Sequence, residues 1–168
     1  MGCDIHMYVE YKSTTNIDTK WRCGDYFRVV DPLAEDLTMK RVELYGDRDY
    51  SLFAVLADVR NSYLVDYISE PRGLPDDVTE YVKREYGAWG NDAHSCSYFT
   101  LQELIVYHDE HKPRDLMGYD VLEPLINKLK QRADEINLIW DFEWNNSLTR
   151  NVAYTKAERI RIVFWFDN

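Results

Sequence analysis

The chain is poor in the residues that most often announce a chemistry. It has three cysteines, Cys3, Cys23 and Cys96, an odd number with no CxxC spacing. That excludes a zinc ribbon and a disulfide framework and predicts a reduced, cytoplasmic protein. Four histidines and seven glycines occur, but no HExxH, P-loop or GxGxxG is formed. No standard peptidase, triphosphatase or dinucleotide site is therefore encoded. No apolar run approaches the roughly 18 residues of a membrane span, and there is no signal-peptide core. The opening MGCDIH would offer Gly2 and Cys3 to lipids, yet His6 stands where myristoylation requires Ser or Thr. Basic residues are outnumbered 20 to 30, for a net charge of −10, which argues against general DNA or RNA binding. A small anionic ligand stays open, because 12 of the 20 basic residues are arginine, the better phosphate fork.

What is present is a globular composition: 168 residues, 45% hydrophobic and 14% aromatic. This length can bury a substantial core, and we expect one domain over residues 1–168. The first strand alternates, with Cys3, Ile5, Met7, Val9 and Tyr11 on one side and Asp4, His6, Tyr8, Glu10 and Lys12 on the other. The last stretch, RIRIVFWFDN, alternates too: Ile160, Ile162, Phe164 and Phe166 oppose Arg159, Arg161, Val163, Trp165 and Asp167. A strand so close to the end of the chain predicts that this end is tied into the sheet. Two short strands are expected in DYFRVV and KRVELY.

Helical spacing begins at DRDYSLFAVLADVRN, where Leu52, Phe53, Leu56 and Val59 form a stripe and Asp49 or Ser51 can cap. SEPRGLPDD is a loop, followed by a helix for which Asp77 and Glu80 form a capping box. GAWGNDAHSCSYF reads as a second loop, and Thr100 with Glu103 caps the helix after it. The longest helix is expected from about Leu122 to Leu138, with Pro124 in its first turn. The fold class is α+β: a mainly antiparallel sheet including both terminal strands, covered by three or four helices.

The candidate chemistry lies in two similar pairs. His6 follows Asp4 by two residues, and His94 follows Asp92 by two. A carboxylate beside an imidazole sets its orientation and raises its basicity, which suits acid–base work or metal ligation. A solvated strand face or turn would also produce such pairs. If the pairs meet, His6 and His94 share acid and base roles at a phosphodiester, with Asp4 and Asp92 supporting them. Ser95, Ser97, Arg60 and Arg72 would then hold phosphate oxygens. The variant is a divalent metal on Asp4, His6, Asp92 and His94 that activates water. A thiol nucleophile at Cys3 or Cys96 ranks last. His108 and His111 read as the solvated end of a helix. Asp167 and Asn168 would flank Asp4 and His6 if the terminal strands are neighbours.

The motifs MGCDIH, YSLFAVLADVRN, PRGLPDD, DAHSCSYFTLQEL and RIVFWFDN together resemble a group of short proteins encoded by bacteriophages and prophages, over nearly the whole chain. The resemblance implies host cytoplasm and, by analogy of setting, a role against bacterial nucleotide-signalled immunity. In that group a histidine is expected where this chain has Cys96, so a three-histidine metal site is weakened here. Two readings follow: a small phosphodiesterase-like hydrolase acting on a nucleotide, possible cyclic signals included, or a non-catalytic protein that binds and sequesters one. A homo-oligomer is compatible with either.

Overall fold

The two alternating stretches at the ends of the chain pair with each other, and the rest of the fold is laid on that ladder. The computed structural model describes residues 2–12, 20–25, 27–29, 39–144 and 157–167. Within it β1 (Ile5–Lys12), β2 (Trp21–Cys23), β5 (His94–Thr100) and β6 (Ile160–Phe166) form an antiparallel sheet of order β2-β1-β6-β5. The short β3 (Phe27–Val29) and β4 (Met39–Arg41) pair separately. Four helices accompany them: α1 (Tyr50–Ala57), α2 (Glu80–Trp89), α3 (Leu101–His111) and α4 (Glu123–Trp144). The α+β architecture with both terminal strands in the sheet is thus observed. No helix among the described residues is long and apolar enough to cross a membrane.

Register explains the layering. Ile5 lies opposite Phe166, His6 opposite Trp165 and so on to Tyr11 opposite Ile160. Every residue of β6 is buried, as expected of a central strand covered on both faces. One face carries Ile5, Met7, Val9, Phe164 and Phe166 and packs with α1, α3 and α4 into the main core. The other carries Tyr8, Val163 and Trp165, covered by Val82, Tyr86 and Trp89 of α2. The polar side of β1 is therefore not a solvated face. It lies under a helix.

Two sequence expectations change for identifiable reasons. The stretch His94–Phe99, expected as part of a loop, belongs to strand β5, because β6 supplies it with a ladder from His94 opposite Phe166 to Thr100 opposite Arg161. Pairing with a central strand overrides the weak propensity of small polar residues. Second, α2 is capped by Thr79, whose Oγ1 accepts from the Val82 N–H, and not by Asp77. The Asp77 carboxylate is already engaged by Trp21 Nε1 at 2.8 Å and Arg161 Nη1 at 2.8 Å. The other caps fall as expected, with Asp49 on α1 and the Thr100–Glu103 capping box on α3.

The charged tie between the sheet and α2 is buried. Arg161, opposite Glu10, donates to Glu10 Oε2 at 2.7 Å, while Glu10 Oε1 accepts from the Thr79 N–H at 2.7 Å. Both carboxylate oxygens are satisfied, as a fully buried acid requires. Removing one member of such a pair strands the other. Glu10→Ala is expected to lower unfolding free energy by about 3–5 kcal/mol, read as a fall in urea midpoint at unchanged m-value. A loss under about 1 kcal/mol would show that the pair does not anchor α2.

Candidate functional site

The end of the sheet where β1 starts and β6 stops brings together residues from both ends of the chain. Asp167 continues β6 beside Asp4, and its N–H donates to the Asp4 carbonyl at 3.1 Å. The Asp4 N–H donates to Asp167 Oδ1 at 3.0 Å, and Asp167 Oδ2 lies 3.1 Å from His6 Nε2. The partner of His6 is therefore Asp167. Asp4, expected in that role, turns its carboxylate to Arg48, which donates to it from Nε and, at 2.7 Å, from Nη2. The Arg48 hydrogen bonds hold the Asp4 carboxyl below its ordinary range. The His6 ring is pinned by Trp89, with centroids 4.1 Å apart, and lies 5.9 Å from Trp165. Its side chain retains 23% exposure.

His94 does not join this group. It is registered with Phe166, and its ring stacks on that residue at 5.9 Å. Phe166 and Trp165 are consecutive strand residues, so they point to opposite faces. His94 follows Phe166 to the main-core face and His6 follows Trp165 to the other. The expected meeting of the two histidines is replaced by a separation across the sheet. Nor does Asp92 support His94: it is exposed in a 3₁₀ turn, Gly90–Asp92. The bond at His94 Nδ1 is to Ser95 Oγ, at 3.1 Å, while its Nε2 is buried with no partner among the described residues.

Two expected phosphate contacts are structural. Ser97 is fully buried, and its Oγ accepts from the Arg72 N–H at 3.3 Å. Arg72 donates to the Tyr98 carbonyl at 3.2 Å and to Glu103 at 2.7 Å, and lies 4.6 Å above the Phe99 ring. These contacts bind the 70–73 loop to β5 and α3. His108 is also no solvated helix end, since its Nε2 lies 2.9 Å from Asp120 Oδ2. Among the described residues no three His, Cys, Asp or Glu side chains converge as metal ligands. Asp4, His6, Asp92 and His94 therefore do not make the expected divalent-metal set. Asn168 lies outside the described residues.

Arg60 occupies a different place. It lines a cleft with about 520 Å³ of space to its open mouth, between the loop after α1 and the loop after α3. Tyr50, Ser51, Ser62, Tyr63 and Arg114 line it as well. Of the seven large hydrophobic residues exposed among those described, Tyr50, Tyr63 and Leu116 line this cleft, and Leu64 and Met117 adjoin its lining in the chain. Leu64 is 88% exposed and Met117 83%.

The two loops are held in strained conformations. Asp58, Arg60 and Leu64 in the first and Lys112 at the start of the second have φ between 46° and 58°. Such backbone costs on the order of 1 kcal/mol or more per residue for an L-residue and persists only when neighbours over-determine it. Asn61 does so in the first loop. Its Nδ2 donates to Asp58 Oδ1 at 2.7 Å and the Val65 carbonyl at 2.8 Å, and its Oδ1 accepts from the Val65 N–H at 2.9 Å. In the second, Asp115 Oδ1 accepts from the Met117 and Tyr119 N–H groups. The one carboxylate lining the cleft is thereby occupied by its own loop.

Sequence reasoning found Arg60 but passed over Arg114, Tyr63 and Trp89, and placed Asp167 only conditionally. Arg114 in KPRD carried no periodic signal, and the loops converge only through tertiary packing. No known protein family matches the chain, and neither does any characterised protein or solved structure.

The thiols do not supply a nucleophile. Burial pushes Cys96 up to about 12 and Cys23 up to about 11, and raises Cys3 as well. An ordinary thiol near 8.5 is about one-quarter thiolate at pH 8, against on the order of 10⁻⁴ for one at 12. Labelling of Cys96 by a disulfide reagent at pH 8 should therefore be about a thousandfold slower in native than in urea-unfolded protein. Equal rates would contradict its burial.

Proposed function

We propose that the chain binds a small nucleotide-class ligand in the cleft between residues 58–65 and 112–121. One observation carries this reading: two arginines and three of the seven exposed large hydrophobics among the described residues, Tyr50, Tyr63 and Leu116, line one concave place. Ligand sites combine apolar and aromatic walls with a few placed polar groups. Tyr50 and Tyr63 offer faces for a base, where stacking is worth about 1–3 kcal/mol. Arg60 and Arg114 offer guanidinium forks for phosphate, and Ser51 and Ser62 offer hydroxyls.

The net charge of −10 does not oppose this at short range, because salt screens distant charges beyond about 8 Å. The cleft lining carries two guanidiniums against one carboxylate, Asp115, which its own loop occupies, while Arg114 also lies 3.6 Å from Asp120 Oδ2. The strained, internally bonded loops also limit the ordering cost of binding, which is where much affinity is otherwise lost. The setting suggested by the resemblance to phage-encoded proteins, removal of a nucleotide signal in the host cytoplasm, fits such a site. The mechanism with His6 and His94 on two sides of one phosphodiester has lost its geometric basis, since the sheet lies between them.

The test is a panel of mono- and dinucleotides, linear and cyclic, read by melting temperature and calorimetry. At least one should raise the melting temperature in a concentration-dependent way. Arg60→Ala and Arg114→Ala should each weaken its binding about tenfold or more, as expected for losing a charge-assisted bond of about 1.5–3 kcal/mol. If no nucleotide shifts the melting curve, or if the double variant binds as the parent does, the cleft is not the site.

A further inference from the structure

We infer that His6, positioned by Asp167, is a general base for hydrolysis of a phosphodiester in a dinucleotide whose other end is held in the cleft. This rests on the cleft reading above and goes beyond it by giving the ligand a length and a fate.

The dyad is built as a base should be. A carboxylate oxygen 3.1 Å from His6 Nε2 favours the tautomer with its proton on that nitrogen, leaving a lone pair on Nδ1. His6 Nδ1 makes no hydrogen bond within the described residues. The Asp167 carboxylate is itself fixed by the Asp4 N–H on its other oxygen, and the imidazole is fixed by Trp89. Beside it, Arg48 reaches the same strand end through Asp4. Packing does not require this polar pair, because the surrounding face is made of Tyr8, Val163, Trp165 and α2 side chains.

The cleft approaches the same strand end from the other side. The Arg60 guanidinium acts on the Cys3 thiol, lowering its pKa against the larger effect of burial, and Cys3 precedes His6 by three residues of extended chain, about 10 Å. Tyr50, which lines the cleft, follows Arg48 by two residues. A ligand anchored by one phosphate at Arg60 must therefore pass round the end of β1 to place a second at His6. A nucleoside monophosphate carries only one phosphate, whereas a cyclic or 5′-phosphorylated dinucleotide carries two with a sugar between them and can meet both places. In the reaction a water oxygen attacks phosphorus and the P–O bond to the leaving sugar breaks. The water proton goes to His6 Nδ1, the leaving alkoxide takes a proton from solvent, and the imidazolium returns its own to water.

The experiment incubates the full chain with linear and cyclic dinucleotides of adenosine, guanosine and uridine, separates the products by anion exchange, and measures binding on the same samples. Wild type should convert at least one bound dinucleotide to a species with one more phosphate monoester end. His6→Gln, which can still donate to Asp167 but offers no base, should bind within about threefold of wild type and turn over at least about 100-fold more slowly. Asp167→Asn should lower kcat at least about tenfold with KM within about threefold, a split that general loosening of the fold would not produce. The inference is overturned if wild type binds dinucleotides and leaves them intact, or if His6→Gln keeps the wild-type rate. Should His6→Gln fail to fold by circular dichroism, an unchanged kcat in Asp167→Asn overturns it equally. If no dinucleotide binds, the inference is overturned, and the cleft reading falls with it only if no mononucleotide binds either.

Discussion

The structure depends on one ladder, the antiparallel pairing of β1 with β6. It joins residues 149 to 161 positions apart, a costly closure for a chain of this length, since loop entropy must be overcome before any contact forms. What offsets that cost is burial on two sides. Each register pair places one set of side chains in the core under α1, α3 and α4 and the next set under α2. A slip by one residue would exchange the two sets and put Arg161 where Ile162 now packs. The register is therefore strongly specified.

The same two-sidedness distributes the chemistry. A sheet covered on one face would collect all polar residues of β1 and β6 on the wet side. Here the second face is covered, so polar residues persist there only with partners. Glu10 and Arg161 satisfy each other at one end, and His6 and Asp167 do so at the other. The first pair ties α2 to the sheet. The second lies at the open end, partly exposed, where a ligand can reach it. His94 reaches the opposite face because the irregularity in β5 between His94 and Ser97 leaves it in register with Phe166.

Backbone strain is concentrated in the same way. Four of the five non-glycine residues with positive φ among those described belong to the two cleft loops, and the fifth is Ser95 beside His94. Strain of this kind needs compensation from bonds such as those of Asn61, and it tends to collect where a binding surface has to be held ready. Apolar side chains left in water at the rim carry the same implication. A monomeric surface scatters such residues singly, and a cluster of them marks an interaction site.

Local physics made much of this legible in the sequence. Period-two alternation identified β1 and β6 and sorted their faces, and Leu52, Phe53 and Leu56 with the Asp49 cap identified α1. Thr100 and Glu103 placed the start of α3, because a capping box needs only four consecutive residues. The strand β5 was not legible, since His94, Ser95 and Ser97 have no strand propensity of their own until β6 lies beside them. The cap of α2 was misplaced because Asp77 had a better partner in Arg161, 84 residues away in sequence. The candidate site divided along the same line. Asp4, His6, Arg60 and His94 were visible as residue types able to do chemistry. Which of them meet depends on register, face and loop convergence. Asp167 became the partner of His6, and Arg114 the companion of Arg60, only in the folded chain, because hydrogen bonds and charge pairs act over a few ångströms of space regardless of distance along the sequence.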